Sequence, residues 1–187
     1  MSTTVVGVLG GSFDPPHTGH VVLATLVLAC APVDRLLVVP VHAHALGKQA
    51  RAGFAQRAEM CELAFGELRR ATVDRIEQRL GGPSFTLRTL QALQQQMPDV
   101  ALRLVLGTDL RTEVHRWHGF DAIARLAPPL WVARAGHDDE RADVPIAPPA
   151  VSSTAVRERL ERGLDTTGLL PRAVRAYIEA HALYRSP

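Results

Sequence analysis

Short runs of β-branched and aliphatic residues alternate with longer helical patterns along most of the chain. Val5–Leu9, Arg35–Val39, Thr72–Gln78, Leu102–Leu106 and Leu130–Ala133 read as strands. Between them, Gly19–Ala31, Phe54–Leu68, Ser84–Met97 and most of Leu110–Leu126 read as helix. Gly10-Gly11 breaks the first strand and Pro40 stops the second. Residues 135–150 are rich in Pro and Asp and read as loop. Two tail helices follow, near Thr154–Arg162 and Pro171–His181. This order implies a Rossmann-like α/β fold: a doubly wound, mainly parallel sheet with helices on both faces and right-handed crossovers. The 187 residues are expected to form a single domain, 1–187, with a helical segment at about 152–187. Ligands of such sheets bind beyond the carboxyl ends of the strands, here near residues 10–20, 40–50 and 107–109.

Composition narrows the function classes. A net charge of +2, from 21 basic and 19 acidic residues, supplies no general field for nucleic acid or membrane. The apolar run Val21–Val33 is too short for a span and lacks the preceding Lys or Arg of a secretory signal. A cytoplasmic protein is expected, with Cys30 and Cys61 as reduced, buried thiols. The basic residues comprise 20 Arg and one Lys, Lys48; the chain has 26 Ala and no Asn. That skew has the look of codon bias, which makes the single remaining lysine a candidate worth following.

The first strand leads into Gly10-Gly11-Ser12-Phe13-Asp14-Pro15-Pro16-His17-Thr18-Gly19-His20. The glycines permit a sharp turn and close approach to a ligand. His17 and His20 project to one side of a helix start, whose partial positive charge suits an anion and disfavours protonated imidazole. Two polar residues near a cap are the plain alternative. The spacing fits neither the G-x-G-x-x-G dinucleotide fingerprint nor a P-loop, since Gly47-Lys48 is followed by Gln49. Near the tail, Ser152-Ser153-Thr154-Ala155-Val156-Arg157 places hydroxyls, free N–H groups and a cation in one helical turn, a second phosphate cradle or an ordinary cap.

These two segments resemble the GG-(S/T)-F-D-P-x-H-x-G-H and S-S-T-x-x-R signatures of the nucleotidyltransferase superfamily. Together with Gly82–Thr86, Gly107-Thr108-Asp109, Trp117, Leu169-Leu170-Pro171 and Leu183-Tyr184-Arg185, they make the chain similar to bacterial nicotinate-mononucleotide adenylyltransferases over nearly its full length. The resemblance implies adenylyl transfer from ATP to nicotinate mononucleotide in NAD biosynthesis, with ATP and a pyridine mononucleotide as partners. Mg²⁺ is expected to be delivered with ATP, since no carboxylate cluster forms a dedicated cage. It implies phosphate contacts from His17, His20, Lys48 and Arg157 as the catalytic set. Nucleotide binding falls to Gly10, Gly11, Ser12, Phe13, Asp109, Arg134, Ser153 and Thr154. Trp117 would stack on the pyridine ring and Thr86 would lie near its carboxylate. No resident metal, nucleic acid or membrane partner is expected, and self-association is left open.

Two departures qualify this reading. The P-P-H-K or P-P-H-R segment of the family is replaced by Pro40-Val41-His42-Ala43-His44-Ala45-Leu46-Gly47-Lys48, and R-R-P-G by Ala133-Arg134-Ala135-Gly136. Nicotinamide mononucleotide or phosphopantetheine therefore remain alternative acceptors, and a catalytically weak nucleotide-binding module a further alternative. His42 and His44 with His17 and His20 could supply four imidazoles to a transition metal; without Cys or carboxylate partners, the pair His42 and His44 in a strand-end loop reads instead as solvent-facing polarity.

Overall fold

The computed structural model of the protein describes residues 3–45, 47, 49–135 and 141–185. Five strands, β1 (Thr4–Gly11), β2 (Arg35–Pro40), β3 (Ala71–Val73), β4 (Val100–Gly107) and β5 (Pro129–Val132), form one sheet in the order β3-β2-β1-β4-β5. Every pairing is parallel, with Val8 opposite Leu37 on one side and Leu104 on the other. Helices α1 (Thr18–Cys30), α2 (Phe54–Phe65), α3 (Ile76–Leu80), α4 (Thr86–Gln96), α5 (Phe120–Leu126), α6 (Ser153–Glu161) and α7 (Arg172–Ala180) complete the element order.

A strand buried on both faces must be apolar at every position, and its alternate side chains must serve two cores. On β2, Leu36 and Val38 join α1, α2, α6 and α7 residues on one face, while Leu37 and Val39 join α4 and α5 residues on the other. On β4, Leu102, Leu104 and Leu106 face the second core and Val105 the first. Thus the continuous aliphatic runs of the sequence become a two-faced sheet. From β1 the chain winds outward through β2 to β3, then returns to place β4 on the other flank of β1. The reversal opens a crevice at the carboxyl ends of β1 and β4.

Several local expectations are corrected. Gly10 and Gly11 do not break β1; both stay in the ladder, opposite Val39 and Pro40, because glycine retains the donor and acceptor a strand needs. The turn comes at Phe13, whose φ is 48°. Thr72–Gln78 is not one strand: Asp74 N–H ends the pairing on Val38 O, and Ile76–Leu80 turns helical. Leu110–Leu126 is interrupted, with 3₁₀ turns at Thr108–Leu110 and Val114–Arg116 before α5. Gly119, left-handed at φ 70°, makes the interruption there. Cys61 is buried, but Cys30 at the end of α1 is exposed; neither forms a disulfide. Among the described residues, no helix is long and apolar enough to cross a membrane.

Candidate active site

Loop 12–17 carries the first signature from β1 into α1, and its shape is imposed by side chains from far along the chain. Asp14 is 5% exposed. Its carboxylate accepts N–H bonds from Arg51 (2.7 Å) and Ala52 (3.1 Å) and the Tyr184 hydroxyl (2.7 Å). The buried Arg57 donates to Ser12 O (2.7 Å) and Ala52 O (3.2 Å). Ser153 Oγ donates to Pro15 O (2.9 Å), and Arg157 Nη1 donates to Asp14 O (2.6 Å). A buried charge persists when it is hydrogen-bonded; the Asp14 carboxylate accepts three donors, and the Arg57 guanidinium is held by two carbonyls at the base of the loop. Sequence reasoning did not single out Asp14, Arg57, Glu77 or Tyr184 for the site. The legible signal was a charge on an otherwise apolar helix face: Arg57 stands beside buried Ala58, Met60 and Cys61, and Glu77 beside buried Ile76.

His17 caps α1 and His20 lies one turn in; their rings stack at 3.7 Å between centroids. His20 Nδ1 accepts the His17 backbone N–H (3.1 Å), which fixes its ring. Gly19 makes room for the pair, since a Cβ there would lie 3.1 Å from His17 Nδ1 and from Pro149 O. Burial, then the nearby Arg134 guanidinium, lower the His17 pKa to about 4. Burial, then His17 and Arg134, hold His20 well below its ordinary value. Both imidazoles are therefore neutral at pH 7 in the absence of an anion.

Two cavities meet over this loop. The larger, about 540 Å³, lies at the crevice and is lined by Gly10, Gly11, Thr86, Asp109 and Trp117 among others. A Cβ built on Gly10 meets nothing within 4 Å, so this glycine leaves open space where a ligand can approach the backbone. Trp117 stands edge-on to Phe120, at 6.4 Å, and lines the cavity together with the α4 residues Thr86 and Thr89. Asp109 sits 3.8 Å from Arg134, and a Cβ on Gly107 would collide with its carboxylate. The smaller cavity, about 270 Å³, is lined by His17, Ser152, Ser153, Thr154 and Arg157. Four residues line both: Ser12, His20, His44 and Arg134.

The candidates from sequence are thus brought together, with two exceptions. Phe13 is buried, at 1% exposure, with its ring edge-on to His20 and Phe65, so it lies behind the smaller cavity as a packing residue. Lys48 lies outside the described residues, as does Gly136. Of the two loop histidines, His44 meets Ser12 Oγ at 2.9 Å and lines both cavities, whereas His42 packs edge-on to Phe54. Their loop is pinned by Glu77, whose carboxylate accepts His42 N–H (2.9 Å) and the Thr89 hydroxyl (3.0 Å), and by Ser84 Oγ, which accepts Ala43 N–H (3.2 Å). Among the described residues, no group of three or more His, Cys, Asp or Glu is arranged to hold a metal ion.

A family model described as cytidylyltransferase-like matches residues 8–159. A protein of Anaeromyxobacter dehalogenans (strain 2CP-C) is 40% identical over 185 residues, 96% of each chain. One of Thermus thermophilus is 37% identical over 96% of this chain and 99% of its own. Both are described as "probable nicotinate-nucleotide adenylyltransferase". The solved structure of Plasmodium falciparum nicotinic acid mononucleotide adenylyltransferase complexed with NaAD has the same fold, with a TM-score of 0.82 over 97% of both chains at 17% identity. With the signature loop, the sheet and the relatives in agreement, the chain belongs to the cytidylyltransferase-like family, among its nicotinate-nucleotide adenylyltransferases.

Proposed function

We propose that the protein transfers the adenylyl group of ATP to nicotinate mononucleotide, releasing pyrophosphate and forming nicotinate adenine dinucleotide. The observation that carries this is the pair of joined cavities: one with an aromatic wall, the other with hydroxyls, imidazoles and a guanidinium, sharing Ser12, His20, His44 and Arg134. An acceptor whose pyridine rests in the larger cavity and an ATP whose phosphate tail fills the smaller would react where the two meet. The names of the relatives agree with this assignment. So does the pyridine dinucleotide NaAD named with the Plasmodium structure.

An oxygen of the acceptor phosphate attacks the α-phosphorus of ATP; that bond forms as the bond to the β-phosphate oxygen breaks and its electrons leave with pyrophosphate. The nucleophile is already anionic, so no side chain needs activation, and the protein's work is alignment and charge stabilisation. His20 and His44, at the shared seam, would donate to oxygens on the transferring phosphorus. His17, Thr154, Arg157 and the N–H of Ser153 at the start of α6 would hold the leaving phosphates, the Ser153 hydroxyl being committed to Pro15 O. Gly10, Gly11, Ser12 and the Phe13 backbone would line the path of the nucleotide. Asp109 would accept from ribose hydroxyls, with Arg134 beside it. Trp117 would stack on the pyridine, and Thr86 at the start of α4 would face its carboxylate. Lys48 would add a cation from the acceptor loop. The donor set is mainly His, Arg, Ser and Thr, and its carboxylates Asp14, Glu77 and Asp109 do not cluster among the described residues, which suits a magnesium ion carried by the triphosphate, where it would neutralise phosphate charge.

Pyrophosphate release with Mg-ATP and nicotinate mononucleotide, nicotinamide mononucleotide or phosphopantetheine tests the reading. Turnover fastest with nicotinate mononucleotide is expected. A higher rate with another acceptor reassigns the substrate, and ATP binding with no turnover on any of them leaves a nucleotide-binding module.

A further inference from the structure

We infer that Tyr184 is a positioning residue for the phosphate site: its hydroxyl donates to Asp14 Oδ1, offsets part of the carboxylate's charge and so leaves Arg157 turned toward the smaller cavity. The inference rests on the reading of Arg157 as a triphosphate ligand and adds a residue that no motif of the chain assigns to that task. Asp14 is acceptor-only when ionised: its Oδ2 accepts Arg51 N–H, and its Oδ1 accepts Ala52 N–H and Tyr184 O–H, three donors that offset its charge. Arg157 Nη1 lies 3.9 Å from Asp14 Oδ2, beyond hydrogen-bonding distance. Instead, it donates to the Asp14 carbonyl (2.6 Å), while Nη2 donates to Thr154 Oγ1 (3.1 Å). The guanidinium is thereby held at the cavity wall by neutral oxygens, without being captured by the carboxylate next to it.

Take the hydroxyl away, and the buried carboxylate loses a donor while keeping its charge. Arg57, the other cation facing Asp14, is tied to the Ser12 and Ala52 carbonyls. Arg157 is the group with the shortest way to move. Drawn onto Asp14, it would give up the geometry that presents it to phosphate.

The delivery of Tyr184 carries its own mark. Beyond α7, Ala182 and Tyr184 both adopt positive φ, 50° and 60°. Residues with a Cβ disfavour that region, and two within three positions turn the chain so that the ring enters the first core at 7% exposure. Burial pushes the phenol upward in pKa, so the hydroxyl remains a donor across the working pH range.

A double-mutant cycle tests this, with Mg-ATP binding by titration calorimetry and thermal unfolding as readouts. Arg157→Ala should weaken ATP binding on the order of 10–100-fold. Tyr184→Phe, which keeps the ring, should weaken it about fivefold or more while Tm falls by about 3–12 °C, the loss of one hydrogen bond to a buried carboxylate. In the Arg157→Ala background, Tyr184→Phe should change the dissociation constant by less than about twofold. Additive losses, or wild-type affinity in Tyr184→Phe beside an impaired Arg157→Ala, would overturn the role of Tyr184 alone. Wild-type affinity in Arg157→Ala would overturn that role and the reading of Arg157 together. The readout is binding, so it is separate from acceptor choice and turnover.

Discussion

At the scale of single residues, two positions decide what the site can hold. Gly10 lies in a strand with ordinary backbone geometry and open space where its Cβ would be. Gly10→Ala is expected to leave the fold as stable or more stable by about 0.4–1 kcal/mol, through the unfolded chain. ATP affinity should drop on the order of tenfold, because the methyl intrudes on the ligand. Calorimetric unfolding and ATP titration on the same variant read the two effects apart; parallel losses would make Gly10 a packing residue. Trp117 stands only partly buried at the cavity wall, so truncation costs little core. Trp117→Ala should raise KM for the mononucleotide about 5–100-fold, the range for losing one aromatic stack. An unchanged KM would remove the stacking role.

At the scale of elements, the acceptor loop depends on α3 and α4. Glu77 at the start of α3 is 8% exposed, and it links His42 on the loop to Thr89 on α4. Hydrogen bonds to a buried carboxylate contribute about 1.5–3 kcal/mol, so Glu77→Gln should lower stability by about that much. It should also raise KM for the mononucleotide several-fold while KM for ATP stays within about twofold. Initial rates with each substrate varied in turn would check it, and equal rises in both would mean that the loop serves no acceptor subsite. This is also the scale at which sequence was least informative. The run Thr72-Val73 has the β-branched pattern of a strand, but beyond it Ile76–Leu80 turns helical and buries Ile76 in the core with Leu37 and Val39 of β2, a long-range contact. The signature segments could be read directly, since each lies within about a dozen contiguous residues. The roles of Glu77, Arg57, Asp14 and Tyr184 could not: apart from Ala52, five positions from Arg57, their partners lie 12 to 170 positions away, and no local spacing encodes such contacts. The strand order, which sets the crevice, likewise follows from crossovers that a linear pattern leaves open.

For the whole molecule, the stacked histidines couple the fold to pH. His17 titrates near 4 in the folded protein and at about 6.5 in an unfolded chain, and His20 is shifted the same way. Between those values the unfolded state binds more protons, so stability rises with pH across that window and is lost as pH falls from about 6.5 toward 4. A bound polyphosphate reverses the local balance, favouring imidazolium. Mg-ATP binding is therefore expected to take up protons near pH 6.5, measurable by calorimetry in buffers of different ionisation enthalpy. His20→Ala should reduce the uptake; an uptake unchanged in that variant would place the titrating group elsewhere.

The grip on loop 12–18 also has a consequence for the order in which the protein is made. All five strands, and every residue of the core beneath α4 and α5, are present once Val132 has been synthesised. Yet Ser153, Arg157, Leu169 and Tyr184, which hold Pro15, Asp14 and Thr18 in place, come afterwards. A nascent chain can close its sheet and fill that core while its phosphate loop still lacks an outer wall. Competence to bind ATP arrives as a late event of translation, after the architecture that will carry it.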